Sequence, residues 1–277
     1  MNVEQAIQFG LSKIKSDSAR VDCEVLLGFV LKQNKTWLKT WPEFQLSDDQ
    51  FALFRRIIER RATGEPVAYI TGQREFWTLD LATNPSTLIP RPETELLVEL
   101  ALEFLNSVGE AKVLDLGTGT GAIALAIASE RVDDTVLGAD FNQDAVALAI
   151  ENAQRNSILN AQFICSDWFQ QIPPQQFDLI VSNPPYVAAG DPHLDTGDLV
   201  FEPDSALIAK DNGFADIQLI IQQAKSYLKP GGGLMFEHGF EQADQVTKLF
   251  ENSGYVKLET VKDLAGLDRV TKGTFEG

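Results

Sequence analysis

Apolar and polar positions follow a helical rhythm through the first part of the chain. From Val3 to about Ala62, apolar residues recur every three or four positions, as on the buried face of an amphipathic α-helix. Ser47 stands before the third of these stretches and Gln50 follows three residues later, which is the pattern of a capping box. We therefore predict a small N-terminal helical domain, residues 1–72.

This periodicity breaks up between Gly64 and Pro92. Glycines and prolines in the stretch surround short extended pieces such as EFWTLDLA, and both residue types interrupt regular structure. We predict that residues 73–92 form a connector with a β-hairpin.

A different rhythm begins after Glu93, where short apolar runs alternate with helical patterns. KVLDLG, TVLGAD, QFICSD and FDLIVSN are predicted strands, and AIALAIASE and DAVALAIENAQRN are helical segments between them. Such alternation is typical of a parallel sheet covered by helices. The tail instead predicts two late strands, Tyr255–Val261 and Arg269–Phe275, so we expect residues 93–277 to form an α/β domain.

The charge balance restricts the class of partner. The chain has 23 Lys and Arg against 40 Asp and Glu, a formal net charge of −17. This charge disfavours nonspecific attraction to nucleic acid phosphates, so we expect no direct nucleic acid partner. The stretch RRIIERR is a local exception, and it is either a solvated helix face or a docking surface. Its arginines are Arg55, Arg56, Arg60 and Arg61.

The N-terminal sequence, the cysteines and the histidines restrict the expected cellular location and argue against a metal site. MNVEQAIQFG lacks the basic-then-apolar pattern of a signal peptide, and no run approaches about 18 consecutive apolar residues. We therefore expect a cytoplasmic protein with no membrane contact. Cys23 and Cys165 lie far apart, which argues against a disulfide framework or a zinc site. The two histidines, His193 and His238, do not suggest a metal pair, so we expect no metal.

A glycine-rich turn follows the first strand of the predicted α/β domain. DLGTGTGA places Gly117, Gly119 and Gly121 between a strand and a helix, where the chain must turn tightly and let a ligand approach the backbone. This indicates a nucleotide-type site, although Gly117, Gly119 and Ala122 also satisfy the G-x-G-x-x-G/A fingerprint of dinucleotide binding. No Lys-Ser/Thr pair follows the glycines, which argues against a phosphate-cradling P-loop.

Two further strand ends carry groups that suit an adenosine. Asp140 ends the second strand, about 20 residues past the glycines, where a carboxylate can accept hydrogen bonds from both ribose hydroxyls; the alternative is a helix cap. Asp167 and Trp168 follow the third strand. The carboxylate of Asp167 can accept from an adenine amino group and the indole can lie against the adenine ring, unless Trp168 is a core residue. Three successive strand ends together favour an adenosine-containing ligand.

The apolar run Phe177–Val181 leads to Asn183, which is followed by two prolines and a tyrosine. Proline has no N–H, so Pro184 and Pro185 remove donors from this turn while their carbonyls remain. A turn that offers the Asn183 side-chain oxygen and the Pro184 carbonyl selects a planar –NH2 group, and Tyr186 can lie against the plane of that group. If its nitrogen attacks an electrophilic carbon, the two acceptors stabilise the growing positive charge most in the transition state. A rigid loop closure without a ligand is the alternative.

These motifs together resemble those of known enzymes. DLGTGTG, GAD, SDW and NPPY resemble the S-adenosylmethionine-dependent methyltransferases that modify planar amino groups. More narrowly, GEPVAYITGQREFW, LIPRPETELLVE, NPPYV and the closing DRV resemble the PrmC/HemK family of peptide chain release factor glutamine methyltransferases. Adenine and guanine methyltransferases share NPPY, and the IPRPET segment narrows the match. The resemblance runs from about Gly64 to the C-terminus, and the helical N-terminal domain also fits it.

The resemblance implies a fold and a reaction. The fold is the seven-stranded, Rossmann-like class I S-adenosylmethionine-dependent methyltransferase fold, with a small N-terminal helical domain for substrate recognition and with the site at the strand carboxyl ends. The reaction is methylation of the side-chain amide nitrogen (N5) of the glutamine in the Gly-Gly-Gln motif of class 1 release factors, in support of translation termination.

The resemblance also implies a cofactor and site residues. The implied cofactor is S-adenosylmethionine, bound by Gly117, Thr118, Gly119, Thr120, Gly121, Asp140, Trp168 and Asn183. The strand-end argument adds Asp167 to these cofactor-binding residues. The implied catalytic residues are Asn183, Pro184, Pro185 and Tyr186. We expect the segment from Val187 to Glu202 to be a loop over this site.

Two alternatives remain open from the residues alone: a nucleobase amino-group methyltransferase and, after it, a dinucleotide-binding oxidoreductase. A primary amide agrees with the acceptor-only turn, because it presents the –NH2 group that such a turn selects. An amide nitrogen is a poor nucleophile, since its lone pair is delocalised. We therefore expect its orientation against the methyl group to matter more than a strong base.

Overall fold

The computed structural model describes residues 1–277, except for the side chains of His193, Asp195, Lys210 and Asn212. The chain divides into two compact units. The first comprises Met1–Gln73 and Asp195–Phe201, and the second comprises Arg74–Leu194 and Glu202–Gly277. In the part of the chain that the structure describes, no helix is both long and apolar enough to cross a membrane.

The first unit is helical. Its helices are α1 (Val3–Leu11), α2 (Ala19–Leu31), α3 (Lys35–Thr40), α4 (Asp48–Ala62) and α5 (Val67–Thr71). The capping box predicted at Ser47 is present, because the Ser47 hydroxyl accepts from the Gln50 N–H and the Gln50 side chain accepts from the Ser47 N–H. The apolar faces of these helices meet in one buried cluster that contains Leu26, Phe54 and Ile58.

The arginines of α4 differ in their surroundings. Arg61 is only 12% exposed, and its Nε donates to Asp22 at 2.8 Å. Arg55 is 61% exposed and lies 3.4 Å from the equally exposed Glu59. Arg61 is therefore part of the packing between α2 and α4, whereas Arg55 belongs to a solvated face.

The second unit contains the remaining helices and the strands, except that Gln73 at the start of β1 belongs to the first unit. The helices are α6 (Glu95–Leu105), α7 (Ala122–Glu130), α8 (Gln143–Arg155), α9 (Asp204–Leu207), α10 (Lys210–Gly213), α11 (Ala215–Ala224) and α12 (Ala243–Asn252). The strands are β1 (Gln73–Phe76), β2 (Leu79–Ala82), β3 (Lys112–Leu116), β4 (Thr135–Asp140), β5 (Ala161–Cys165), β6 (Phe177–Ser182), β7 (Val187–Ala188), β8 (Ile208–Ala209), β9 (Leu228–Glu237), β10 (Val256–Lys262) and β11 (Asp268–Thr274).

A seven-stranded sheet forms the centre of this unit, in the order β10-β11-β9-β6-β3-β4-β5. The pairs among β3, β4, β5, β6 and β9 are parallel, and β11 runs antiparallel to both of its neighbours. The predicted fold class is confirmed, and the two late strands lie within one residue of their predicted bounds. β1 and β2 pair separately, as do β7 and β8.

Helices cover both faces of the sheet. Successive residues of β3 point to opposite faces, so Val113 packs in the same cluster as α6 and α7, and Leu114 packs in the cluster that contains α11 and α12 residues. The chain proceeds from β3 to β4 on one side, and β6 lies on the other. The carboxyl end of β3 is therefore the switch point at which open α/β sheets bind ligands.

The segment between Val187 and Glu202, expected to be a loop, contains short regular elements. These are β7 and two 3-10 helices, Pro192–Asp195 and Gly197–Phe201. Glu202 itself is 5% exposed and fixes the segment before α6, because its Oε1 accepts from the Ile89 N–H at 3.0 Å and its Oε2 accepts from Arg91 at 2.5 Å.

Candidate active site

A cavity of about 220 Å³ opens at the carboxyl ends of four adjacent strands. Gly117 follows β3, Asp140 ends β4, Ser166 follows β5 and Asn183 follows β6, and all of them line the cavity. The structure thus brings together three predicted nucleotide-binding strand ends and the Asn-Pro-Pro-Tyr turn. Most of the predicted site residues line this one space: Gly117, Thr118, Gly119, Thr120, Asp140, Asp167, Trp168, Asn183 and Pro185.

The glycine turn has a backbone that other residues adopt only under strain. Gly117, Gly119 and Gly121 have φ angles of +71°, +55° and +82°, in the left-handed region. Gly121 precedes α7, and a Cβ there would lie 3.1 Å from Ala149 and 3.2 Å from Phe163. Gly121 is absent from the cavity lining and instead permits the close packing that places the turn.

A buried carboxylate supports this turn from below. Asp115 in β3 is fully buried, and its Oδ2 accepts from the Thr118 hydroxyl at 2.6 Å and from the Ala124 N–H at 3.2 Å. Burial raises the pKa of Asp115 to about 7, and the nearby Asp140 charge adds to the rise. Sequence reasoning assigned no role to Asp115, although its place at the head of DLGTGTG is the signal that marks it.

Asp140 accepts a backbone hydrogen bond with each of its oxygens, and one of these bonds comes from the glycine turn. Oδ2 accepts from the Gly119 N–H and Oδ1 accepts from the Asn142 N–H, each at 2.9 Å. Asn142 is the N-cap of α8 and accepts from the Asp144 N–H, so Asp140 is not the helix cap. Each carboxylate oxygen can accept a second hydrogen bond, so Asp140 can still receive two hydroxyl groups from the cavity. Burial raises the pKa of Asp140.

Aromatic groups form part of the cavity wall. Trp168 is half-buried and has a φ of +47°, and a Cβ at Gly117 would lie 3.6 Å from its ring. Its Nε1 donates to Asp216 at 3.3 Å. The indole packs against the core and also lines the cavity. Phe141 lines the cavity while 58% exposed, and sequence reasoning missed it. An apolar residue directly after the strand-ending Asp140 was the available signal.

Asp167 occupies the exposed side of the same strand end. Its Oδ2 accepts from the Gln170 side chain at 2.7 Å, and its own N–H donates to Gln171 at 2.9 Å. The carboxylate keeps acceptor capacity toward the cavity that it lines.

The residues of the Asn-Pro-Pro-Tyr turn point in different directions. Asn183 and Pro185 line the cavity, whereas Pro184 is buried. Tyr186 is not among the lining residues; its hydroxyl donates to Glu237 at 3.4 Å, and its carbonyl accepts from Gln242 at 3.0 Å. Burial raises the pKa of the Tyr186 hydroxyl. Tyr186 therefore anchors the turn in the protein.

The segment LIPRPET supplies lining residues to which sequence reasoning gave no role. Leu88, Pro90, Arg91 and Thr94 of this segment line the cavity, as does Thr87 just before it. Thr94 accepts a hydrogen bond at 3.2 Å from the Asn183 side-chain nitrogen, across 89 residues of sequence.

Among the described side chains, which exclude that of His193, no group of three or more His, Cys, Asp or Glu residues could hold a metal ion.

Two sequence families match the chain. One, described as a PrmC N-terminal domain, matches residues 4–72, and the other, described as a methyltransferase domain, matches residues 107–272. The chain is 52% identical over 259 residues to the release factor glutamine methyltransferase of Aliivibrio fischeri, covering 93% of this chain and 91% of that protein. It is 46% identical over 276 residues to the protein of that name from Escherichia coli, covering 99% of each.

Solved structures share the fold at low sequence identity. A Thermus thermophilus 16S rRNA N2 G1207 methyltransferase, in complex with AdoMet and guanosine, is 21% identical with a TM-score of 0.55, covering 73% of this chain and 49% of that one. A methyltransferase from Pyrococcus furiosus is 19% identical with a TM-score of 0.53, covering 79% of this chain and 96% of that one. Both are similar to this chain in fold.

Proposed function

Because the chain belongs to the family of release factor glutamine methyltransferases, we propose that it methylates the side-chain amide nitrogen of a glutamine in a class 1 peptide chain release factor. The target in this proposal is the glutamine of the Gly-Gly-Gln motif. The observation that carries it is the Asn-Pro-Pro-Tyr turn, whose Asn183 lines the same cavity as the glycine turn, in a chain that matches its relatives over nearly their whole length. The names of those relatives favour glutamine over the nucleobase alternative.

S-adenosylmethionine is the proposed cofactor. The cavity fits it because the glycine turn has left-handed backbone that lets a ligand approach, and because Asp140 keeps acceptor capacity for two hydroxyls. Phe141 and Trp168 offer apolar surface suited to an adenine ring, and Asp167 can accept from its amino group. When bound, the cofactor supplies an electrophilic methyl group.

The turn residues orient the substrate nitrogen in this mechanism. Asn183 Oδ1 and the Pro184 carbonyl accept the two N–H groups of the glutamine amide, and the prolines offer no competing donor. As the bond to nitrogen forms, the bond from the transferred carbon to the cofactor's sulfonium sulfur would break and S-adenosylhomocysteine would leave. The nitrogen becomes more positive in this step, and the two acceptors stabilise that charge. The nitrogen then loses one proton to water. Pro185 and Tyr186 keep the turn in place.

Partner recognition is assigned to the helical residues 1–72. The match to the PrmC N-terminal domain supports this assignment, and the exposed Arg55 offers a polar contact surface that the buried Arg61 does not. The net charge of −17 supports a protein partner over nucleic acid.

We further propose a cytoplasmic location, since release factors act on ribosomes. In the proposed domain organisation, residues 73–92 connect the helical domain to the methyltransferase domain of residues 93–277.

The test is methyl transfer to purified release factor. The protein and S-adenosylmethionine should add the mass of one methyl group to the release factor, and peptide fragmentation should place it on the glutamine of the Gly-Gly-Gln motif. A release factor with that glutamine replaced by alanine is the matched control and should stay unmodified. Efficient methylation of DNA or RNA in place of the release factor would overturn the proposal.

A further inference from the structure

The last residue of the Asn-Pro-Pro-Tyr turn is held by a side chain from a distant part of the chain. Gln242 Nε2 donates to the main-chain carbonyl of Tyr186 at 3.0 Å, across 56 residues of sequence. Gln242 ends the 3-10 helix Phe240–Gln242, which follows β9. Because β9 pairs in parallel with β6, the helix and the turn both lie beyond the carboxyl ends of neighbouring strands, although Gln242 does not line the cavity.

A second contact decides the orientation of the Gln242 amide. Its Oε1 accepts from the Gly239 N–H at 2.9 Å. A main-chain N–H can only donate, so the amide oxygen must face Gly239 and the amide nitrogen must face Tyr186. The Tyr186 carbonyl can only accept, so the same orientation satisfies both main-chain groups. Gln242 is therefore a bridge whose two ends cannot be exchanged.

Gly213 confines the same carbonyl by close packing. It ends α10 with a φ of +90°, in the left-handed region. A Cβ at Gly213 would overlap the Tyr186 carbonyl oxygen and would lie 2.7 Å from Gln242 Nε2. Only glycine lets the main chain of α10 pack at this point, so the Tyr186 carbonyl is held both by a hydrogen bond and by a close neighbour.

The two prolines make the turn a stiff connection between Tyr186 and the cavity. Their rings fix the φ angles of Pro184 and Pro185, and each proline also restricts the backbone of the residue before it. A displacement at Tyr186 is therefore absorbed poorly within the turn and passes to the residues that precede it. Asn183 and Pro185 line the cavity, so such a displacement would alter the lining of the site.

We propose that Gln242 is a positioning residue that holds the Tyr186 carbonyl and thereby sets the direction in which the Pro184 carbonyl points. The inference rests on the proposed function, in which the Pro184 carbonyl accepts from the target amide. Gln242 acts through Tyr186 and the prolines and contacts neither substrate nor cofactor. Its loss should therefore slow methyl transfer and leave the binding of cofactor and release factor unchanged.

Two variants of Gln242 test this. Gln242→Glu keeps an acceptor for the Gly239 N–H but places a second acceptor against the Tyr186 carbonyl. Gln242→Met keeps the length of the side chain and removes both hydrogen bonds. Either change takes away the donor that holds the turn, and the second variant serves if the first does not fold.

Gln176→Glu is the matched control. Gln176 Nε2 also donates to a main-chain carbonyl, that of Leu228 at 3.4 Å, but it does so just before β6 begins, at the opposite end of the strand from Asn183. The measurements are the single-turnover rate at saturating cofactor and release factor, the release factor concentration at half-maximal rate, the Kd of S-adenosylhomocysteine, and urea unfolding.

We expect both Gln242 variants to slow single-turnover transfer about tenfold, which corresponds to the loss of one hydrogen bond in the transition state. The half-maximal release factor concentration and the Kd of S-adenosylhomocysteine should stay within about threefold of wild type, since the adenosine-binding groups and the helical domain are untouched. Gln176→Glu should transfer methyl within about threefold of wild type. A purely structural Gln242 would lower the free energy of unfolding without slowing the folded protein.

The hydrogen bond can also be observed without turnover. In protein labelled with ¹³C at tyrosine carbonyls and ¹⁵N at valine, only the peptide bonds Tyr186–Val187 and Tyr255–Val256 join the two labels. The Tyr186 carbonyl resonance, identified by its loss in Tyr186→Phe, should move in both Gln242 variants and stay in place in Gln176→Glu. The Tyr255 resonance is the internal reference and should stay in place in these variants.

The outcomes separate this inference from the proposed function. Wild-type protein that leaves the release factor unmodified refutes the proposed function, while the Tyr186 resonance still decides whether Gln242 holds the turn. A Gln242→Met protein that transfers methyl as fast as Gln176→Glu, or a Tyr186 resonance that moves in neither Gln242 variant, overturns the positioning role.

Discussion

Replacing Asp140 with asparagine tests the proposed cofactor site at its most connected residue. Asp140 is 8% exposed, and its two oxygens accept separately from the Gly119 and Asn142 N–H groups. Asparagine has nearly the same shape but only one oxygen. Its –NH2 group must therefore face one of the two backbone donors, and that donor loses its partner.

The expected magnitudes follow from these bonds. One buried backbone donor left unsatisfied should lower the free energy of unfolding by about 1–3 kcal/mol. Asp140→Asn also loses the charge that strengthens hydrogen bonds from two ribose hydroxyls, each of which contributes about 1.5–3 kcal/mol to a carboxylate. With part of that interaction retained by the amide oxygen, we expect the Kd of S-adenosylhomocysteine to rise about 10- to 100-fold.

Isothermal titration calorimetry with S-adenosylhomocysteine measures the affinity, and urea unfolding measures the stability. Asp134→Asn is the matched control, because Asp134 is 3% exposed just before β4 begins and holds the Ala111 N–H at 2.9 Å. It should lose stability and keep its affinity. An Asp140→Asn protein that binds within about threefold of wild type, well short of the expected loss, would show that Asp140 only shapes the glycine turn.

Three further predictions concern other parts of the cavity. Asn183→Ala should reduce the rate of single-turnover methyl transfer about 10²- to 10³-fold, by analogy with the loss of one preorganised oxyanion-hole donor. A folded variant with a rate within about threefold of wild type, far short of that loss, would show that the turn has only a structural role. Burial raises the folded-state pKa of Asp115 to about 7 from an ordinary 3.8, so the stability that protonated Asp115 contributes should be lost as pH rises between these values. Urea unfolding across this range should show a weaker pH dependence of the free energy of unfolding in Asp115→Asn than in wild type, and an equal pH dependence in the two proteins would contradict the prediction. Gly121→Ala should lower the free energy of unfolding by about 1–3 kcal/mol, because Gly121 has a φ of +82° and the new Cβ would lie only 3.1 Å from Ala149. An unchanged free energy of unfolding would show that α7 can shift to accommodate the Cβ.

The order of elements in the second unit was predictable because each element has a local pattern of apolar and polar residues. Apolar runs and helical periods specify β3 to β6 and their helices, and the glycines after β3 mark the turn. Asp140 and Asn183 could be chosen as site residues because parallel strands bring their carboxyl ends to one edge. The predicted domain boundaries and site roles remain predictions.

Contacts between distant segments were not predictable in the same way. Arg91 and Glu202 pair across 111 residues, and Thr94 reaches Asn183 across 89. Neither pair leaves a periodic signal, since each depends on how strands and loops pack once the sheet exists. The charge of Arg61 likewise suggested a surface, and only packing between α2 and α4 reveals its pairing with Asp22.

The place of β11 in the sheet has a consequence for synthesis on the ribosome. β11 is the last strand along the sequence, yet it lies between β9 and β10 and not at an edge. During vectorial translation the earlier parallel strands can begin to fold first, but β10 has no partner in the sheet until β11 has emerged from the exit tunnel. Arg269 arrives on that same strand, so the carboxylate of Glu237 gains its guanidinium neighbour only then. A nascent chain stalled before this point should carry an open strand edge and bind chaperones, with an incomplete framework behind the Asn-Pro-Pro-Tyr turn.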